Sequence, residues 1–369
     1  MKKSLKEFIS EYDPYMVFAL FLLFLLGLLG VYSATYKGGV SSLFIKQLLY
    51  LAVGGFIMLL LSRLSFVRFY DLSPAIYSLN LFLLALVPLL GKTVYGAKRW
   101  LDLGPVNIQP SEFFKFSLLM FSLYTLSHTK RVFSKESIIL ITGFAVPSLL
   151  TLTQPDLGTT ITYGVVFSLL LFFWGVPIRY FVLSGVILLL SSPVLWHLLK
   201  DYQKDRILAV VDPYEDYHGT GYQLIQSMIA VGSGGFLGKG LLEGTQSHLL
   251  FLPEKHTDFI FSVLSEEWGF LGGMLLVLAV LTIFHRLMTY AIRIPNRLEK
   301  VYLATFAGLW MFQTCVNLLM TMGWAPVVGI PLPFVSYGGS SILTFSVLLG
   351  LALSIIRDYR SRPIKFEDG

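Results

Sequence analysis

Residues 15–34 read YMVFALFLLFLLGLLGVYSA, twenty positions without a single charge. A helix rises about 1.5 Å per residue, so this run matches the roughly 30 Å hydrocarbon core of a bilayer. Further apolar runs follow near 43–61, 73–91, 111–128, 137–153, 158–174, 180–199, 259–285, 301–322 and 337–356. They predict an all-α integral membrane protein of about ten transmembrane helices, a single polytopic domain over residues 1–369. Composition agrees. Only 14% of the residues are charged and 55% are hydrophobic, with mean hydropathy +0.71, whereas a soluble domain carries roughly 25% charged residues. The first run lacks a convincing small-residue cleavage site after it, and is read as a retained helix rather than a signal peptide.

Cations set the orientation, because cytoplasmic segments of membrane proteins collect Lys and Arg. Alternating the sides from a cytoplasmic N-terminus places Lys2, Lys3, Lys6, Arg63, Arg68, Lys130, Arg131, Lys135, Arg179, Arg286, Arg293, Arg297, Lys300, Arg357, Arg360, Arg362 and Lys365 inside. That is 17 of the 28 Lys and Arg, and both termini are then cytoplasmic. The net charge of +6 follows from this distribution, and nucleic acid is not expected as a partner. The single cysteine, Cys315, excludes an internal disulfide and thiolate metal sites.

A large extracytoplasmic loop, residues 200–257, separates helices seven and eight. No run in it is long enough to span. Tyr222–Val231 reads as a short amphipathic helix with Leu224, Ile225, Met228 and Ile229 on one side, and 232–244 is glycine-rich. Such a segment lies on the membrane surface or dips into it.

Polar residues beside apolar spans are costly and point to chemistry. Four groups fall on the extracytoplasmic side. The first is GAKRWL (96–101) followed by QPSEFFK (109–115). Pro110 and Ser111 start a helix, with Glu112 in its first turn and Lys115 three residues on, at pairing distance. The group is either a capped helix with an interfacial Trp100, or a cationic cradle of Lys98, Arg99 and Lys115 for a pyrophosphate headgroup. In the second, QPDLGT (154–159), Asp156 or Thr159 caps a helix in a tight turn. The third is FLPEKHTDFIF (251–261), then Glu266 and Glu267. Asp258 is either an N-cap or a working carboxylate beside Glu254 and His256. Either the following helix is broken near Gly269, or two carboxylates are buried. In the fourth, GIPLPFVSYGGSS (329–341), Ser336 and Ser340 with their neighbouring N–H groups make an anion contact or a close-packing turn. No Walker loop, dinucleotide fingerprint or zinc helix motif is present.

Together these strings resemble the SEDS family (shape, elongation, division, sporulation). QPSE-x-x-K, QPDLGT, GYQ…QS…GSGG…GKG…GTQ, FLPE-x-HTDFIF and PLPF-x-SYGGSS occur in family order across essentially the whole chain, closer to the elongation branch, RodA, than to the septal branch, FtsW. The resemblance implies ten transmembrane helices in the bacterial cytoplasmic membrane. It also implies an extracytoplasmic active face that polymerises lipid II into β-1,4 glycan strands and releases undecaprenyl pyrophosphate. It implies Asp258 as the essential acidic residue, for which a general-base role toward the sugar hydroxyl is expected, Arg99, Lys115 and Trp100 as substrate contacts, and motif positions at Gln109, Ser111, Glu112, Gln154, Asp156, Gln246, Glu254, His256 and Ser336. Lys98 and Ser340 are expected to assist in holding the leaving group. A divalent cation (Mg or Mn) bridging the pyrophosphate would have Asp156 or Glu112 as its candidates, although the spacing demands no metal. Implied partners are a class B penicillin-binding protein, the elongation machinery and membrane lipid. The rival readings are a lipid II flippase and a non-catalytic scaffold.

Overall fold

The computed structural model describes residues 11–94, 97–102, 104, 107–129, 134–214, 219–248 and 252–361. Lys2, Lys3, Lys6, Lys130, Arg131, Arg362 and Lys365 of the charge count, and Gly96 and Phe251 of the motif strings, lie outside them.

Before the large loop the chain forms α1 (Pro14–Thr35), α2 (Ser42–Leu61), α3 (Phe66–Leu90), α4 (Pro110–His128), α5 (Lys135–Thr153), α6 (Leu157–Trp174) and α7 (Ile178–Leu198). Within the loop come α8 (Asp201–Val211), α9 (Thr220–Ser233) and the single turn α10 (Thr245–His248). The chain returns through α11 (Ile260–Arg293), α12 (Arg297–Thr321) and α13 (Gly339–Arg360). Side-chain caps set several of the starts. Asp13 accepts from the amides of Tyr15 and Met16, Ser41 from Phe44, and Asn296 from Leu298.

Among the described residues, nine helices are long and apolar enough to cross a membrane. The tenth expected span, α4, falls outside that group and is instead one of the most enclosed helices, lying against α3, α5, α6 and α13. A helix surrounded by other helices does not need an apolar surface for lipid, and α4 spends its polar positions inside. Asn80 of α3 donates to Ser117 at 2.8 Å, and Tyr163 of α6 donates to the carbonyl of Ser111 at 2.6 Å. The core is built on α1, α11, α12 and α13, with Trp310 and Phe345 in ring contact with each other and each with Phe306 and Phe334. By contrast α7 has no buried side chain.

Two features differ from the sequence expectation. A small antiparallel sheet of β1 (Lys92–Val94), β2 (Ala97–Asp102) and β3 (Asn107–Ile108) fills the connection between α3 and α4. The helical period of the flanking spans gives no hint of strands this short. Several helices also outrun their apolar cores: α3 begins at Phe66 rather than 73, and α11 reaches Arg293 rather than 285. Polar turns such as those carrying Arg68 and Asp71 continue the helix where hydropathy has already fallen.

The either-or at Glu266 and Glu267 resolves as both. Gly269 breaks the helical path of α11 with φ 62° and ψ −158°, and both carboxylates are buried. Glu266 accepts from Lys239 Nζ at 2.7 Å, from the amides of Gln246 and Ser247 at 2.9 and 3.0 Å, and from Ser247 Oγ at 2.9 Å. Glu267 accepts from the amide of Leu242 at 3.2 Å. The glycine-rich stretch is thus fastened to the start of α11 by charge-assisted bonds.

Candidate functional site

The connections after α3, α5, α7 and α12 all lie at one end of the bundle if every long helix crosses it, and direct bonds tie them together. In β2, successive side chains point to opposite faces. Arg99 therefore turns one way, and Lys98 and Trp100 the other. Lys98 is exposed and lies opposite Thr93 in the register, while Trp100 lies opposite Lys92. The Arg99 guanidinium donates from Nε to the carbonyl of Gln154 at 3.1 Å and from Nη2 to the carbonyl of Pro155. Its Nη1 stands 3.9 Å from Asp156 Oδ1.

Asp156 is the N-cap of α6, accepting from the Thr159 amide at 3.2 Å and the Thr159 hydroxyl at 2.9 Å. It also accepts from Gln109 Nε2 at 3.3 Å. Gln109 in turn donates from Nε2 to Ser111 Oγ at 3.2 Å and from its amide to Ser340 Oγ at 3.0 Å. Arg99, Gln109, Ser111, Gln154, Asp156 and Ser340 therefore form one connected network. Close approach here requires Gly158, because a Cβ at that position would fall on the carbonyl oxygen of Val328.

A second group surrounds Asp258. The backbone of Glu254, at φ +48°, presents its carbonyl to the amides of Thr257 and Asp258 at 3.1 and 3.2 Å. Ser336 Oγ donates to the carbonyl of Thr257 at 2.7 Å and accepts from the Leu332 amide at 2.9 Å. The Tyr337 amide donates to the carbonyl of His256 at 2.9 Å. Asn317 Nδ2 reaches the carbonyls of Asp258 and Ile330 at 3.1 and 2.9 Å. Every one of these bonds fixes backbone. Among the described residues the Asp258 carboxylate makes no hydrogen bond, and the N-cap of α11 is Phe259, without a side-chain cap bond, so the N-cap alternative fails. Gly329, at φ +71°, keeps space open beside it, because a Cβ there would stand 3.5 Å from Asp258 Oδ2.

The first group borders a cavity of about 120 Å³, whose lining includes none of the second group's residues. Arg99, Asp156, Tyr202 and Arg206 supply its polar wall, and Leu157, Ile161, Pro326 and Val328 its apolar wall. Val328 precedes Gly329, which places the Asp258 carboxylate just behind the cavity. Burial pushes the Asp258 carboxyl up to about 6; Glu254 and Asp156 push the same way, while Arg206 and Arg99 oppose them. Burial likewise holds His256 below its ordinary range, against the pull of Glu254.

Other expected site residues stand apart from the cavity. Lys115 is buried at 1% exposure, with its ammonium 2.7 Å from Glu112 Oε1. The predicted pair is present, and the charge is already matched. Gln246 uses its amide on Glu266. The Ser336 hydroxyl is spent as a donor on the Thr257 carbonyl, whereas Ser340 Oγ accepts from the Gln109 amide. The donor set does not suit a divalent cation, since Asp156 is occupied by Thr159 and Gln109, and one Glu112 oxygen by Lys115. Among the described residues no three His, Cys, Asp or Glu side chains gather. Sequence reasoning missed Tyr202, Gln203 and Arg206. The signal was there: DYQKDRILAVV has an amphipathic period, with Tyr202, Arg206 and Ala209 on one face, yet its cations read as scattered loop charges.

The profile of a family described as cell cycle proteins, FtsW/RodA/SpoVE, matches residues 14–361. The chain is 38% identical over 307 residues to peptidoglycan glycosyltransferase MrdB of Escherichia coli strain K12, covering 83% of each protein. It is similar in structure to a chain of a peptidoglycan synthase complex described as coordinating polymerization and crosslinking, with a TM-score of 0.81 and 34% identity over 95% of this chain and 99% of the other. It is also similar to the Thermus thermophilus rod shape determining protein RodA, with a TM-score of 0.71 and 30% identity, covering 95% and 98% of the two chains.

Proposed function

This chain belongs to the FtsW/RodA/SpoVE family of cell cycle proteins, and on that premise we propose that Asp258 and the cavity beside it form its polymerising centre. The protein is a multi-pass membrane enzyme, a peptidoglycan glycosyltransferase like its curated relatives. Lipid II, carried by undecaprenyl pyrophosphate, is the substrate. A class B penicillin-binding protein is the partner, in keeping with the synthase complex it resembles. The site end of the bundle faces the outside of the cytoplasmic membrane, with both termini in the cytoplasm.

One observation carries the mechanism: a half-buried carboxylate that makes no side-chain hydrogen bond among the described residues, near a cavity lined in part by two arginines. The reaction joins the 4-hydroxyl of an acceptor sugar to the anomeric carbon of a donor and expels a lipid pyrophosphate. A sugar hydroxyl is a weak nucleophile at neutral pH, and a positioned base contributes ~10²–10⁴-fold. With its carboxyl at about 6, Asp258 is ionised at neutral pH and still basic enough to take the hydroxyl proton as the new bond forms. The arginine wall meets the negative charge that develops on the departing pyrophosphate. Attack from the face opposite the leaving group inverts the anomeric carbon, turning an α-linked donor into a β-linked strand.

The test is Asp258→Asn in purified full-length protein supplied with lipid II. The variant, nearly identical in shape, is expected to keep its thermal midpoint and lose glycan ladders by ~10²-fold or more. Ladders at the native rate would remove Asp258 from the reaction.

A further inference from the structure

The two guanidinium groups at the cavity differ in how far they are already engaged. Arg99 spends Nε and Nη2 on the carbonyls of Gln154 and Pro155, with Nη1 turned toward Asp156. It braces the loop that forms the wall. Arg206 makes no hydrogen bond and no ion pair among the described residues. Its neighbour on its own helix is the Tyr202 ring, 5.9 Å from the guanidinium carbon, and Tyr202 is itself tied to the Pro155 carbonyl at 3.3 Å. An arginine withdrawn partly from water and left without an acceptor loses solvation with no return. The electrostatic neighbours of Arg206 are Asp258, Asp156, Arg99 and Tyr202, none within hydrogen-bonding reach.

The cavity lining is mixed. Cationic and hydroxyl groups share it with Leu157, Ile161, Pro326 and Val328. That mixture fits a ligand whose anionic head is joined to a hydrocarbon chain. The lining charges, two arginines against Asp156, leave an excess of one positive charge before a ligand arrives. A free guanidinium fork matches phosphate oxygens two at a time.

We propose that Arg206, rather than Arg99, is the residue that grips the lipid-linked pyrophosphate, with Arg99 holding the wall against which it works. The proposal rests on the glycosyltransferase reading for the identity of the ligand. It adds a residue in α8, outside every motif string, and reverses the role expected of Arg99.

The experiment uses the full-length protein in detergent, with undecaprenyl pyrophosphate as the probe and undecaprenol as its uncharged control. Arg206→Ala is expected to weaken binding of the pyrophosphate lipid by about ten- to hundredfold, the loss of one charged hydrogen-bonding partner. Undecaprenol binding should not change, and the KM for lipid II should rise more than kcat falls. Arg206→Lys keeps the charge without the fork and should recover part of the loss, which also guards against misfolding of the alanine variant. Equal binding of undecaprenyl pyrophosphate by wild type and Arg206→Ala, in a preparation that polymerises lipid II, overturns the assignment of Arg206 alone. Arg206-dependent binding in a wild-type protein that forms no glycan upholds Arg206 and overturns the catalytic reading instead.

Discussion

Replacing Glu254 with Gln removes a negative charge near Asp258 while keeping an oxygen for the Thr257 hydroxyl, which donates to Glu254 Oε2 at 3.2 Å. The Asp258 carboxyl stands at about 6, raised from 3.8 by burial first and by Glu254 next, against Arg206 and Arg99. A base with that pKa is roughly nine-tenths ionised at pH 7 and roughly one-tenth at pH 5. Because only the ionised form accepts the sugar proton, kcat should climb with pH through about 6 and level off above it. Losing Glu254 removes a cause of the upward shift, so the acid limb should move to lower pH. If the carboxyl fell all the way back to its ordinary value, the rate at pH 5 would reach the plateau, a gain of about tenfold. Burial remains in the variant, so the expected gain lies between no change and that ceiling. Arg206 acts in the opposite sense, and Arg206→Ala should move the limb upward. The assay is the initial rate of glycan formation at saturating lipid II between about pH 5 and about pH 8. An upward move for Glu254→Gln, or a wild-type rate that is flat down to pH 5, would refute Asp258 as a base in this electrostatic setting.

The buried Glu112–Lys115 pair gives a stability test. Lys115→Met alone should cost ~3–5 kcal/mol by stranding a buried charge, and Glu112→Gln with Lys115→Met should restore most of the thermal midpoint in detergent. Gly158→Ala drives a methyl against the Val328 carbonyl and should cost ~1–3 kcal/mol, with a raised KM for lipid II because the cavity wall shifts. Glu266→Ala removes the acceptor shared by Lys239, Gln246 and Ser247, so limited trypsin digestion should cut after Lys239 faster than in the wild type.

The spans were legible because hydrocarbon imposes one requirement on every lipid-facing residue, and runs such as 15–34 answer it throughout. The enclosed helix α4 was legible for another reason, since QPSEFFK marks a helix start whether or not its surroundings are lipid. Asp156 and Asp258 looked alike in the sequence, each an acid ahead of an apolar run. In the structure Asp156 caps its helix and Asp258 does not. That difference is set by the loop from Leu332 to Tyr337, which takes over the backbone groups around Asp258, and no local pattern announces it. The bond between the Gln109 amide and Ser340 Oγ joins residues 231 positions apart, and the fate of the serine hydroxyls was hidden for the same reason. Arg206 escaped notice because its value lies in what it leaves unbonded.

The break at Gly269 also settles a question of length. As one straight rod, the 34 residues of α11 would extend ~51 Å, far beyond a hydrocarbon layer of about 30 Å. Split at the glycine, the portion from 270 to 293 measures ~36 Å, enough for one crossing with a modest tilt. The nine residues from 260 to 268 become a separate cap above it. Glu266 and Glu267 then ride in that cap, among the amides of the glycine-rich stretch, and Asp258 sits at its tip. A single backbone angle thus keeps three acids off the membrane-length shaft with which they share a chain.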